Sequence, residues 1–322
     1  MNGYDTKEYK MTTRYHIIAN LHSGSGKGKK VVLDVHKKLN EKKIPFLLYQ
    51  TEYRKHAITL IQKVIANMNL ETDRILVIGG DGTLHEVIAG MSLLEKKIPV
   101  GYLPAGTGND FARAIDLPTS YHKGLANILH AEEPQIMECF LYEDAELKTI
   151  GVGLNSLGMG FDGKIIEILD NKHTKRNILS AVRLEKLIYL NSIADAFKKR
   201  KTFEVEVTVD NKTSTYSDVL IAGAMNHPYF GGGIKIDPES NPNTSELAIM
   251  IIKNLSFPNL VRLLTKVLTS GKHIHSPYFE RLAGKELEIK VSEPVPTQVD
   301  GELLPEEQYH FHFKLSAFLL WK

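Results

Sequence analysis

Gly79-Gly80-Asp81-Gly82-Thr83 is the stretch of this chain whose residue types and spacing promise chemistry. It follows the apolar run Ile75-Leu76-Val77-Ile78 and precedes a stretch of helical character, Leu84 to Met91. A short apolar run ending on paired glycines reads as a buried parallel strand turning sharply into a helix. Neither glycine carries a Cβ, so backbone amides there can approach a ligand closely. The helix start adds the positive end of its dipole, and the combination suits a phosphate. Asp81 runs against this, because a carboxylate repels phosphate unless a divalent cation lies between them. Two readings of the five residues stand side by side. One is a Mg-nucleotide site; the other is a plain strand–helix turn with Asp81 and Thr83 as cap residues.

A second stretch repeats the pattern. Strand-like Val100 to Leu103 runs into Pro104-Ala105-Gly106-Thr107-Gly108-Asn109-Asp110-Phe111-Ala112-Arg113. Two such turns would lie side by side at the carboxyl edge of one sheet, where open α/β folds bind ligands. A third loop, NxxSGxGxG at Asn20 to Gly28, follows the short strand Tyr15 to Asn20. A helix with apolar Val31, Val32, Val35 and Leu39 comes next. The loop lacks the GxGxxG spacing of a dinucleotide site, and Phe46 to Tyr49 ends in Gln50-Thr51 rather than an acidic ribose anchor. There is no Walker A Gly-Lys-Ser/Thr either. By itself the loop is either a phosphate contact or an ordinary turn.

The three loops, together with Asn226-His227-Pro228-Tyr229-Phe230-Gly231-Gly232-Gly233 and Asp300-Gly301-Glu302, follow one another in an order that resembles the diacylglycerol kinase catalytic family. That family includes sphingosine kinases and bacterial lipid kinases, and it shares a fold with NAD kinases and 6-phosphofructokinases. The resemblance implies an ATP:lipid phosphotransferase that uses Mg and ATP on a lipid alcohol, converting diacylglycerol to phosphatidic acid in an interdomain cleft. It implies Asn20, Ser23, Gly24, Gly79, Gly80, Thr83 and Thr107 at the nucleotide, and Asn109 and Asp110 at the substrate. Asp81 would be catalytic through the Mg that accompanies ATP, and Glu302 would be the general base. The residues alone favour a hairpin turn at Asp300-Gly301 with Glu302 exposed. The chain departs from the family at Leu21, which stands in place of a proline. It departs again at Thr244-Ser245-Glu246-Leu247, which replaces Asp-Gly-x-Leu, so a second, structural metal is not expected. The rival readings are a NAD kinase-like phosphotransferase and an inactive lipid-binding homologue. PAGTGNDFAR and FGGG speak against the first, and the presence of Asp81 and Glu302 against the second.

The elements that must position these residues divide the chain in two. Residues 1–13 read as a flexible leader without a signal-peptide core. Residues 14–134, with a return of about 310–322, read as an α/β nucleotide-binding domain with a parallel sheet, because strands and helices alternate from Tyr15 to Ala131. Helix Ala57 to Met68 belongs to it, and Glu86, one helical turn past Gly82, reads either as facing the site or, the favoured reading, as an exposed acid complementing its own helix dipole. Residues 135–309 read as a mainly antiparallel β-sandwich that binds the lipid substrate. Its strands include Met137–Tyr142 and Leu147–Leu154, joined at Glu143-Asp144, then Phe203–Val209, Val219–Met225, Ala248–Ile252 and Leu287–Val291. Two helices interrupt them, roughly Leu179–Lys199 and Pro258–Thr269.

Composition agrees with a globular enzyme: 322 residues, 43% hydrophobic, 24% charged, and a net charge of +2 that calls for no nucleic-acid partner. Cys139 is the single cysteine, so no intrachain disulfide can form, which fits a reducing cytoplasm. No apolar run reaches the ~18 residues of a membrane span. Access to a lipid then implies transient docking on the inner membrane face, with basic clusters at 172–176 and 198–201 as the visible handles, although the residues alone favour reading them as the solvated ends of a core helix; homodimerisation stays open. The 13 histidines include His273-x-His275, but without an HExxH motif or a Cys/His cluster no zinc is assigned.

Overall fold

The computed structural model describes residues 13–94, 97–175, 197–198, 200–240 and 246–322. The leader, the expected helix over 179–199, the Thr244-Ser245 departure and the side chains of 172–176 lie outside the described residues.

The first half builds a parallel sheet. β1 (Arg14–Ala19) lies between β2 (Phe46–Gln50) and β3 (Asp73–Gly79), and β4 (Val100–Pro104) flanks β3. Helices α1 (Ser23–Glu41), α2 (His56–Asn67), α3 (Asp81–Ser92), α4 (Asp110–Ala114) and α5 (Tyr121–His130) fill the crossovers. Ile75 to Ile78 are wholly buried, because both faces of β3 are covered. Alternation sorts them: Leu76 and Ile78 pack with Val31, Val35 and Leu39 of α1, while Ile75 and Val77 pack with Ile61 of α2 and Val87 of α3.

After α5 the pairing turns antiparallel. The strands are β5 (Gln135–Asp144), β6 (Thr149–Gly153), β7 (Ser156–Gly160), β8 (Phe203–Val209), β9 (Lys212–Met225), the short β10 (Tyr229–Phe230) and β11 (Ile234–Lys235), β12 (Leu247–Lys253) and β13 (Phe279–Gly284). β14 (Leu287–Val295), β15 (Thr297–Val299), β16 (Glu302–Leu303) and β17 (Glu307–Trp321) complete them. Helix α6 (Phe161–Lys175) follows β7, and α7 (Phe257–Thr269) lies between β12 and β13. The fold class is as the sequence led us to expect, an α/β half with a parallel sheet and a mainly antiparallel β-sandwich half.

The joint between the halves is β17. Its first part pairs antiparallel with β14, residues 311–320 pair antiparallel with β5, and Leu320 and Trp321 lie parallel beside Val100 and Gly101 of β4. One 15-stranded sheet therefore runs through both halves. A correction concerns the β5–β6 connection, expected at Glu143-Asp144. Asp144 is instead the last residue of β5, fully buried, and the turn falls on 145–148. The carboxylate of Asp144 accepts the amides of Glu146, Leu147 and His310 at 3.2, 3.3 and 3.0 Å, so it closes the turn from inside the sheet.

Candidate active site

The GGDGT turn packs glycine against glycine on its neighbour. A Cβ on Gly106 would lie 2.6 Å from the Cα of Gly80, so the two βα turns meet at a distance only glycine permits. Gly79 is structural: its carbonyl accepts the Ala105 amide at 2.7 Å, and a Cβ on it would strike the Thr83 side chain. The carbonyl of Gly80 caps α3 by accepting the amides of Thr83 and Leu84 at 3.0 and 3.2 Å. In the first loop, Gly24, Ser25 and Gly26 take left-handed backbone angles, and a Cβ on Gly24 would run into the Ala105 carbonyl. Ser23 Oγ donates to the Asn20 carbonyl at 2.9 Å, and Asn20 Oδ1 accepts the His22 amide at 3.0 Å.

Asn20, Ser23, Gly24, Gly80, Thr83 and Gly106 line one cavity of about 480 Å³. Arg54 and Glu302 line the same cavity, and their side chains are ion-paired, with Arg54 Nε 2.9 Å from Glu302 Oε2. Glu86 also borders this cavity, and its role corrects the expectation of an acid serving its own helix. Its carboxylate accepts the amides of Lys55 and Ala57 at 2.8 and 3.0 Å and thus caps α2. Thr107 is exposed and lies outside the lining of this cavity.

A second cavity of about 190 Å³ adjoins the first across Gly80-Asp81 and Gly301-Glu302. Asp81, Asp110, Asp162 and Asp300 all line it. The four carboxylates differ in what already holds them. Asp300 is saturated: its oxygens accept the amides of Leu154, Asn155 and Ser156 at 2.7, 2.8 and 3.0 Å, and Oδ2 lies 2.6 Å from His85 Nδ1. Burial alone would raise its pKa, but His85 and the amides hold it below the usual carboxylate range. Asp110 accepts the Gly232 amide at 2.7 Å and is ion-paired to Arg113 at 2.5 Å, so it clamps the FGGG turn. Asp162 is bonded by Gln298 Nε2 at 2.8 Å, and burial pushes its pKa up to about 7.

Asp81 has one firmly held oxygen and one weakly held oxygen. Oδ2 accepts the Asp110 amide at 2.7 Å, while Oδ1 meets only the Tyr102 hydroxyl at 3.4 Å. Burial pushes its pKa up to about 7; the Asp110 amide opposes the rise, and the charges of Asp110 and Asp300 reinforce it. A carboxylate held among like charges with an open oxygen fits a hard divalent cation arriving with a nucleotide, where one protein oxygen completes a shell of phosphate oxygens and water. Asn109 serves its own turn: its side chain donates to the Gly106 carbonyl and accepts the Gly106 amide, both at 2.9 Å.

His85, Arg54 and Asp162 were not singled out from sequence. His85 was legible in principle, since it lies four residues after Asp81 and so on the same face of α3. Burial disfavours charge on its ring, but the Asp300 carboxylate outweighs that and holds the pKa above the ordinary histidine value.

Comparison with known proteins assigns this architecture. Residues 14–139 match the diacylglycerol kinase catalytic domain, and residues 156–315 match the YegS C-terminal NAD kinase beta sandwich-like domain. Over 312 residues the chain is 27% identical to a Bacillus subtilis (strain 168) protein named "Putative lipid kinase YtlR", covering 91% of this chain and 94% of that one. It is also 27% identical over 244 residues to the diacylglycerol kinase of the same organism, covering 74% of each. Among solved structures, that of a "putative diacylglycerol kinase" from Bacillus anthracis str. Sterne superposes with a TM-score of 0.71 at 19% identity, over 99% of this chain and 98% of that one. At that identity the superposition speaks for the fold alone. With both halves matched in order, the chain belongs to the diacylglycerol kinase catalytic-domain family of lipid kinases.

Proposed function

We propose that the chain transfers the γ-phosphoryl group of Mg-ATP to the hydroxyl of a lipid alcohol, with diacylglycerol as acceptor and phosphatidic acid as product. The observation that supports this reading is that Glu302 lines the same cavity as the glycine turns at Gly24, Gly80 and Gly106. The triphosphate would lie against the backbone of those turns and the start of α3, and Asp81 would hold the divalent cation that offsets the phosphate charge. Glu302 accepts the proton of the lipid hydroxyl as its oxygen attacks the γ-phosphorus, and ADP leaves with the electrons of the broken P–O bond. Arg54 orients the Glu302 carboxylate. Asp110 reaches the substrate side through the smaller cavity, where Gly108 and Gly232 approach each other closely.

No helix among the described residues is long and apolar enough to cross a membrane, and the substrate is embedded in one. The enzyme therefore works from a membrane surface by transient docking on the cytosolic face. Incubating the purified chain with Mg-ATP and a panel of lipid alcohols, with NAD alongside, tests the assignment. Phosphorylation of diacylglycerol supports it. Phosphorylation of NAD with no lipid product overturns it.

A further inference from the structure

On the outer face of the sandwich half, two adjacent strands bring together three metal-ligating side chains. In β17 the residues Tyr309, Phe311 and Phe313 point into the core, so His310 and His312 face outward together. Glu288 of β14 sits directly across from His312 in the antiparallel register and points the same way. Each oxygen of this one carboxylate faces a different imidazole: Oε2 lies 3.1 Å from His310 Nε2 and Oε1 3.1 Å from His312 Nδ1. The two rings are 4.4 Å apart between centroids, and the ligand atoms of the three residues all lie within 4.8 Å of one another.

We infer that Glu288, His310 and His312 form a binding site for a borderline divalent cation, Zn2+ foremost. Tetrahedral zinc with bonds of about 2.0–2.1 Å sets its ligands roughly 3.3 Å apart, so the carboxylate-to-imidazole separations already match to within a few tenths of an ångström. Two imidazoles and one carboxylate favour Zn2+, Cu2+ or Ni2+ over Mg2+ and Ca2+, which prefer all-oxygen shells. A neutral imidazole that donates to Glu288 becomes a ligand by moving its ring proton to its other nitrogen. Three protein ligands leave one position for water. The charges on this face are mixed: exposed Lys290 lies across from His310 on one side and from Glu206 on the other, exposed Lys314 follows His312, and Glu143 of β5 lies across from His312. The strands are rigid, with core residues alternating along both, so little ordering entropy opposes binding.

The cation would clip β14 to β17. β14 leads through β15 to Asp300, and β17 joins the two halves of the fold. The site is separate from the Asp81 cavity and should act on stability rather than on phosphoryl transfer. Calorimetric titration of the EDTA-treated full chain with Zn2+, without nucleotide, tests it, together with thermal melts. We expect one saturable equivalent and a Tm raised by several degrees, with Mg2+ at the same concentration giving neither. His310→Ala and His312→Ala should each abolish both responses, Glu288→Gln should weaken them, and His275→Ala, at an exposed histidine elsewhere, should leave them intact. Apo melts of each variant show whether it folds; these surface positions should lower the apo Tm little. Zn2+ binding that is absent, or that persists undiminished in both folded histidine variants, overturns the site.

Discussion

His85 Nδ1 lies 2.6 Å from Asp300 Oδ2, so the helix that begins at Asp81 is bonded directly to the turn that carries Glu302. The two residues are 215 positions apart, and their contact is partly buried, with Asp300 fully enclosed. It ties the helix that follows the GGDGT turn to the hairpin that carries Glu302.

The first prediction follows from that pair. Asp300, with a lowered pKa, contributes stability that is present above its unfolded value and lost as pH falls through the folded one. His85, with a raised pKa, contributes stability that is present below its unfolded value and lost as pH rises through the folded one. The pair is therefore strongest between about pH 4 and pH 6.5. Urea unfolding of His85→Ala should show its largest loss against wild type in that window and a smaller one at pH 9. Asp300→Ala, which strands His85 and three amides, should cost roughly 3–5 kcal/mol. A pH-independent loss in His85→Ala would contradict the ion pair.

Asp81 predicts a trade between stability and activity. Its raised pKa means that ionisation opposes folding: the cost is absent below pH 4, grows as pH rises, and is complete above about 7. Asp81→Asn should thus be more stable than wild type at pH 8 without nucleotide, by at most a few kcal/mol, with little difference at pH 4. Its kcat should fall on the order of 10²–10³-fold through the lost grip on the cation. Wild-type turnover with unchanged Mg dependence would remove Asp81 from the site.

Gly24→Ala tests the first loop. The left-handed backbone at Gly24 costs an L-residue about 1–2 kcal/mol, and the new methyl meets the Ala105 carbonyl. We expect a destabilised protein with a raised KM for ATP and a nearly unchanged KM for lipid. Equal effects on both constants would detach this loop from the nucleotide.

Membrane docking is predicted from sequence positions 172–176 and 198–201. Each Lys or Arg near an anionic surface contributes about 1 kcal/mol, screened by salt. Sedimentation with vesicles should show binding that rises with anionic lipid content and falls with ionic strength. Binding indifferent to both would exclude this mode of access.

The parts of the site legible in sequence were those where local geometry forces composition. Gly106 cannot carry a side chain where two turns touch, and Ile75 to Ile78 must be apolar where both sheet faces are covered. The parts that were not legible depend on contacts distant in sequence. Asp300-Gly301 has the composition of an exposed hairpin corner, yet Asp300 is a buried anchor, because its partners come from α3 and the start of β7. Glu86 is an ordinary acid near a helix start by position, and only the packing of α2 against α3 gives it another helix to cap. Arg54 sits in a plain polar loop, and its pairing with a residue 248 positions away leaves no local trace.

The central claim is that Glu302 takes the proton from the lipid hydroxyl in the cavity it shares with the glycine turns. Steady-state kinetics of Glu302→Gln test it most directly, since the amide keeps the shape of the side chain and removes its basicity. The account predicts a kcat about 10²–10⁴-fold below wild type, with folding and ATP affinity nearly unchanged. A kcat within about threefold of wild type, far short of the ~10²-fold a positioned base contributes, would contradict it.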